Sequence, residues 1–341
     1  MKALVYTANN EVTYRDEPEP APVADSVLLK IDAVGICGSD MHAYHGHDPR
    51  RVPPMILGHE FAGTIIEGTN KGKRVTGNPI VACGVCDYCH EGRNNLCSNR
   101  TMIGMQLPGA FAQHMAIPAG AIVDIPQDMD ARTAALTEPA ATALHALNLS
   151  MRAMHRPLQE GRTLVIGGGA IGMLCAILLK SYGCRDVRVA ETNPLRRASI
   201  EKHTGCVAFD PRDGAGTSGT TGSKGAPAAN STHFVIDAVG SVRTRKAALD
   251  AVRPGGTIMH IGLQDWASEI DMRKLTLAEI TLLGTYTYTT ADLRATVAAL
   301  HGGTFGDLAW VEERPLAEGA RAFDDLDKGK TAAAKIVLRP H

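Results

Sequence analysis

Thr163-Leu164-Val165-Ile166-Gly167-Gly168-Gly169-Ala170-Ile171-Gly172 is the stretch on which the fold turns. Four residues suited to a buried strand run into a glycine turn, and Ala170 to Tyr182 then reads as a helix closed by Gly183. The turn has the spacing Gly167-x-Gly169-x-x-Gly172. Glycines at these places allow a tight reversal, close approach of the backbone to a pyrophosphate, and close packing of helix on strand. The helix start supplies free N–H groups and a favourable dipole. Alone the pattern is weak. Here Glu191 follows Gly172 by nineteen residues, after the apolar run Val187 to Ala190, where a carboxylate that reads ribose hydroxyls belongs. The combination predicts a dinucleotide site, with NAD as cofactor: a 2′-phosphate beside Glu191 would meet like-charge repulsion and lose a hydrogen bond.

Working outward, Val207 to Asp210, Phe234 to Ala238 and Thr257 to Ile261 give further short apolar strands. Ala131 to Met154, rich in Ala and Leu, favours helix. Strands alternating with helices predict a parallel, doubly wound sheet. Pro211 to Asn230 breaks the rhythm. It consists almost throughout of Gly, Ser, Thr, Ala and Pro, and is expected as a mobile surface loop where a crossover helix would normally lie. The first 135 or so residues differ in character. Val27 to Val34, Met55 to Ile66 and Ala112 to Ile117 fit strands among Gly- and Pro-rich turns, an irregular all-β unit. After Gly284 the elements are mixed, and Lys335 to Leu338 closes the chain as a strand. The expected division is therefore 1–135 with 286–341 as one domain and 136–285 as the dinucleotide-binding domain, an α/β protein overall.

The chain has 341 residues, 44% hydrophobic and 21% charged, with a net charge of -1. Nothing in that balance calls for a nucleic acid or an anionic membrane, so a small molecule is the expected partner. Met1 to Asn10 reads as a first strand without the apolar core of a signal peptide, and Ala170 to Leu179 is too short to span a bilayer. A cytoplasmic protein is expected. Of eight cysteines, four crowd into Cys83-x2-Cys86-x2-Cys89-x7-Cys97. In a reducing compartment such clusters bind metal more often than they form disulfides. Four thiolates can close around one tetrahedral zinc at roughly 2.3 Å each. With no open position, that site is structural.

A third group is scattered: Cys37 within Gly35-Ile36-Cys37-Gly38-Ser39-Asp40-Met41-His42, His59 and Glu60 after Gly58, and Glu138 within Thr137-Glu138-Pro139. Their types suit a catalytic zinc, which takes three protein ligands and keeps one place open. The spacing alone does not single them out. The order of all these motifs resembles the zinc-containing medium-chain dehydrogenases, an all-β GroES-like catalytic domain joined to a Rossmann domain. Glu138 in place of a further cysteine resembles their polyol branch, typified by sorbitol dehydrogenase. The resemblance covers essentially the whole chain.

It implies zinc ligands at Cys37, His59 and an acidic residue, for which Glu60 and Glu138 are both candidates. Glu60 also counts among the catalytic residues, with Ser39 and His42 as the proton relay. It places Gly167, Gly169, Ile171, Gly172, Glu191 and Arg196 against the cofactor. Ile261 and Leu263, with Tyr286 and Tyr288, fall on stretches that line its nicotinamide end. It further implies two zincs per chain, a homodimer or homotetramer, and hydride transfer between NAD and a secondary alcohol. A polyol or sugar alcohol is the leading substrate class, with threonine-type, diol, sugar-acid or sugar-phosphate oxidation as alternatives. Thr287 stands where the similar sorbitol dehydrogenases carry an arginine, which points away from sorbitol itself. The polar loop Gly46 to Arg51 is expected to shape the substrate mouth, where Arg50 or Arg51 would suit an anionic substrate.

Overall fold

The computed structural model describes residues 1–21, 24–213 and 225–341. Ser26–Gly35 is the central strand of the first half. Val27, Leu29, Ile31 and Ala33 alternate inward with polar or half-buried neighbours, the period of two that one buried sheet face demands. It pairs antiparallel with Glu60–Glu67, with His114–Pro118 and with Lys335–Arg339. The sheet continues through Arg74–Gly77 to Ile122–Asp124 on one side and through Lys335–Arg339 to Val311–Pro315 on the other. Leu29, Ile31, Phe61, Ile65, Phe111 and Phe323 fill its core. The last strand thus returns to the first half of the chain.

The second half builds a six-stranded, all-parallel sheet. In order across the sheet its strands are Val207–Phe209, Asp186–Ala190, Arg162–Ile166, Thr232–Asp237, Val252–His260 and Thr281–Gly284. The strand order reverses beside Arg162–Ile166, the position at which doubly wound sheets bind ligands, and Gly167 begins the glycine turn at its carboxyl end. The helix Thr137–Ala153 packs its small face, Ala140, Ala143 and Ala146, against the helices Ala170–Ser181 and Thr290–His301.

Two elements differ from expectation. Met55 to Ile66 is not one strand: it breaks at Leu57-Gly58-His59 into Met55–Ile56 and Glu60–Glu67. Gly58 has φ +92°, and a Cβ there would lie 2.7 Å from the Phe111 ring, so only glycine makes this corner. Ala131 to Met154 is two helices, Ala131–Ala135 and Thr137–Ala153. Pro139 accounts for the restart, because a proline is tolerated in a first turn, where N–H groups have no helical partner. The loop expected over 211–230 falls largely on 214–224, outside the described residues.

Candidate active site

The break at Gly58 and the end of the Ser26–Gly35 strand build the site together. Gly35 pairs in register with Glu60, and a Cβ on Gly35 would stand 2.2 Å from Glu60 Oε2. Glycine therefore lets the Glu60 carboxylate lie across the strand end. Cys37 follows as the N-cap of the short helix Gly38–Tyr44. Its Sγ accepts from Ser39 N at 3.5 Å, while Asp40 Oδ2 accepts from Cys37 N at 3.0 Å. Ligand atoms of Cys37, His59 and Glu60 all lie within 4.8 Å of one another. That is the spread expected of groups able to close on one cation.

Charged partners surround this group. Asp40 is fully buried, and its Oδ1 lies 3.4 Å from His59 Nδ1. Burial pushes its carboxyl up, but His59 and Arg51 outweigh that and hold it below the ordinary range. A carboxylate behind a histidine fixes the ring's orientation for a metal on its other nitrogen. Lys335 arrives from the last strand with its amine buried. It donates to both Glu60 oxygens, at 2.7 and 2.5 Å, and to Ile36 O at 2.8 Å. Burial disfavours that ammonium, but Glu60 and Cys37 restore it and raise its pKa. Glu138, in the first turn of Thr137–Ala153, stands beside the three-donor group rather than in it. Its carboxylate accepts from Tyr288 Oη at 3.0 Å, and burial, with Glu60 adding to it, lifts its pKa to about 7.

Ser39 Oγ lies 3.4 Å from His59 Nε2 and accepts from Arg51 Nη2 at 3.3 Å. His42 is half-buried one turn further on, its pKa lowered by burial and by His47. Arg50 and Arg51 separate sharply. Arg51 is buried, its fork donating to Gly104 O, Ser39 O and Asp48. Arg50 points outward and pairs with Asp48 alone. Arg51 is thus a structural cation beneath Ser39, and Arg50 is the exposed guanidinium of the pair.

The four-cysteine loop has Cys83–Cys97 and Cys86–Cys89 sulfur separations of 3.5 Å, with Cys83–Cys89 at 4.0 Å. Tetrahedral ligands about 2.3 Å from an ion sit roughly 3.8 Å apart, so the four thiols fit zinc. The loop also reaches away from its cysteines. Asn95 Nδ2 donates to Tyr286 O at 2.8 Å, and Arg100 lies over the Tyr286 ring at 4.9 Å.

At the glycine turn, Gly167 has φ +98°, and a Cβ on Gly172 would stand 1.8 Å from Gly167 O. Gly169 caps the helix Ala170–Ser181, in whose first turn Ile171 is half-buried. Glu191 folds back over the turn, accepting from Gly168 N at 2.8 Å and from Asn193 N at 2.7 Å. Arg196, in the helix Pro194–Thr204, keeps a buried Nε without a partner. Ile261 and Leu263 follow the strand Val252–His260, Ile261 half-buried and Leu263 exposed. Tyr286 and Tyr288 part company: one lies against the four-cysteine loop, the other is fully buried with its hydroxyl on Glu138. Thr287 between them has φ +47°, an unusual conformation for a β-branched residue.

Sequence reasoning missed Lys335, Arg51's burial and Asp40's role. Asp40 had a local signal, three residues after Cys37 at the start of a helix. Lys335 had none.

Residues 23–127 match the alcohol dehydrogenase GroES-like domain, and residues 170–302 the zinc-binding dehydrogenase domain. The chain is 31% identical over 356 residues to a sorbitol dehydrogenase of Halalkalibacterium halodurans, covering 100% of this chain and 99% of the relative. It is 31% identical over 333 residues to an L-galactonate-5-dehydrogenase of Escherichia coli, covering 95% and 94%. Among solved structures, a zinc-binding dehydrogenase from Sinorhizobium meliloti bound to NADP is 28% identical, with a TM-score of 0.85 over 99% of each chain.

Proposed function

This chain belongs to the zinc-dependent medium-chain dehydrogenases, and on that premise we propose that it transfers a hydride between NAD and a secondary alcohol of polyol type, oxidising it to a ketose. The observation that carries this reading is the convergence of Cys37, His59 and Glu60, whose ligand atoms lie within 4.8 Å of one another, in a chain that also carries a glycine turn on a parallel sheet. Cys37, His59 and Glu60 would hold a zinc ion, which would lower the pKa of an alcohol bound to it, and the glycine turn would hold NAD as hydride acceptor. Glu60 is the nearer acidic donor. Glu138, with Tyr288 on its oxygen, stands by the open position. Ser39 Oγ accepts from Arg51 on one lone pair and has a second for the substrate hydroxyl's proton, while its own proton leaves towards His42, whose lowered pKa leaves it neutral and receptive at pH 7. The second zinc belongs to Cys83, Cys86, Cys89 and Cys97. Gly167, Gly169, Ile171, Gly172, Glu191 and Arg196 hold the adenosine half of NAD. Ile261, Leu263 and the backbone around Tyr286 and Tyr288 flank the nicotinamide half.

The same reading assigns 1–135 with 286–341 to the catalytic domain and 136–285 to the cofactor domain. The return of Lys335–Arg339 onto Ser26–Gly35 supports it. No helix among the described residues is long and apolar enough to cross a membrane. The cysteines are all unpaired, which supports a cytoplasmic location. A sugar-acid substrate is the second reading, supported by the likeness to an L-galactonate-5-dehydrogenase.

Zinc analysis and a panel of polyols, diols and hydroxy acids, followed by NADH absorbance, test the proposal. Two zincs per chain and turnover on a polyol are expected. Cys37→Ser is expected to abolish turnover while NAD binding survives. Loss of NAD affinity in step with rate would contradict the separation of the two sites.

A further inference from the structure

Three guanidiniums gather near the carboxylate that reads the ribose. Arg196 and Arg197 lie on the helix Pro194–Thr204, which starts just after Glu191, and Arg212 follows the next strand, Val207–Phe209. Judged by charge alone, such a cluster suits a phosphate. The geometry shows where two of them are directed. Asp210, immediately after that strand, is buried. Arg212 grips it with both arms of its fork, Nε to Oδ1 at 2.8 Å and Nη2 to Oδ2 at 2.6 Å. Arg197 Nη1 donates to the same Oδ2 at 3.0 Å and to Glu191 O at 2.8 Å. The remaining reach of Arg212 goes to Thr192 O at 2.8 Å. Arg212 holds the Asp210 carboxyl far below the usual range, so the aspartate stays ionised at any working pH.

We propose that Asp210 is a specificity-determining residue for the cofactor: it occupies Arg197 and Arg212 so that neither is offered to a 2′-phosphate, and with Glu191 it excludes NADP. The inference rests on the reading that Glu191 faces the adenosine ribose. Glu191 acts directly, by like charge and by competing for the hydroxyls. Asp210 acts through the arginines. With both acids present the five side chains carry one net positive charge. With both neutralised they carry three, and the Arg212 fork and Arg197 Nη1 no longer face an anion. Exclusion of NADP is in this sense a positioning effect, and one that neither acid accounts for alone.

The test is the ratio of kcat/KM for NADP to that for NAD, with both dissociation constants by titration calorimetry, in wild type, Glu191→Ser, Asp210→Asn and the double variant. The amide introduced by Asp210→Asn keeps an oxygen for the Arg212 fork but removes the charge. Glu191→Ser is expected to move the ratio towards NADP, and Asp210→Asn alone to move it less, because Glu191 still repels the phosphate. The double variant should exceed the product of the two single effects by on the order of tenfold. Adding Arg212→Gln to the double variant should remove most of that excess. A double variant that only multiplies the single effects overturns the role of Asp210. If Glu191→Ser itself leaves the ratio unmoved, the placement of the ribose fails, and the inference with it. One arm does not depend on Asp210→Asn folding well: in Glu191→Ser with Asp210 intact, Arg212→Gln should change the ratio less than about twofold. A large loss of NADP use there would show that Arg212 already reaches the phosphate past Asp210, and would also overturn the proposal.

Discussion

Lys335 and Glu60 bring opposite charges into a site with almost no water access. Desolvating such a pair costs several kcal/mol per ion, which their attraction repays only while both partners are present. Lys335→Met strands Glu60 as a buried anion, at an expected cost of about 3–5 kcal/mol in zinc-stripped protein. In zinc-loaded protein the loss should be smaller, because the metal supplies a second cation for the same carboxylate. Urea unfolding midpoints of both forms check this. Equal losses with and without zinc would argue that Glu60 does not face the metal. The pair also shows what a sequence hides. Cys37 and His59 are legible only through the order of motifs shared with a known family, since spacing alone does not single them out, and Glu60 is one of two acidic candidates there. Lys335 comes from a strand 275 residues away, and a lysine in an apolar strand carries no mark of its partner. Tyr288 illustrates the converse. Its neighbourhood could be read from the flanking segment, but the direction of its hydroxyl, onto Glu138, depends on the turn at Thr287.

Elements were legible where local chemistry and period agreed. The glycine turn, the strand before it and the helix after it fall where the sequence reading puts them. The break at Gly58 did not declare itself, since it is set by a tertiary contact with Phe111, whereas the interrupted helix had a local mark in Pro139. The four-cysteine loop was legible as a metal site, but its grip on Tyr286 through Asn95 and Arg100 was not. That grip has a consequence for function. Cys83→Ser is expected to halve the zinc content, lower the melting temperature, and raise KM through the loosened Tyr286 to Tyr288 segment. Unchanged zinc content would defeat the structural-metal assignment. Another inter-element tie is electrostatic. Asp292, in the first turn of Thr290–His301, accepts from His145 at 2.7 Å and Asn148 at 2.9 Å on the helix Thr137–Ala153. Burial would raise its carboxyl, but His145, Thr289 and Asn148 hold it well below the ordinary range. A depressed folded-state pKa contributes stability that is present above the unfolded value, near 3.9, and is lost as pH falls below it. Asp292→Ala should therefore cost about 2–3 kcal/mol at neutral pH. The gap to wild type should narrow below about pH 4, whereas a gap constant from pH 7 to 3 would sink the assignment.

At the scale of the molecule, the parallel sheet stops at Thr281–Gly284 with one edge unpaired among the described residues. Exposed edges with apolar side chains are templates for another strand. Leu282 on this edge strand is exposed, and the preceding segment exposes Leu263, Trp266, Met272 and Leu277, with Trp266 at 85% and Leu277 at 71%. Monomeric proteins seldom leave so many large apolar groups together on one stretch. Leu275 to Thr289 is rich in apolar residues, but only the sheet order shows that its strand is the terminal one. We propose that a second copy covers this edge about a two-fold axis, the commonest closed arrangement for identical chains, in a homodimer or a tetramer built from such dimers. An antiparallel join of two Thr281–Gly284 strands would pair the free backbone groups of both copies and bury Leu282 between them. Light scattering at micromolar concentration is expected to give at least twice the chain mass of 36.2 kDa. Leu282→Lys places a charge in the join on both copies at once, so the mass should fall towards that of one chain. Zinc content should be unaffected, because no proposed ligand lies on this edge. A wild type that runs as a monomer would remove the proposal. An oligomer indifferent to Leu282→Lys and to Thr281→Pro would show that the copies meet elsewhere.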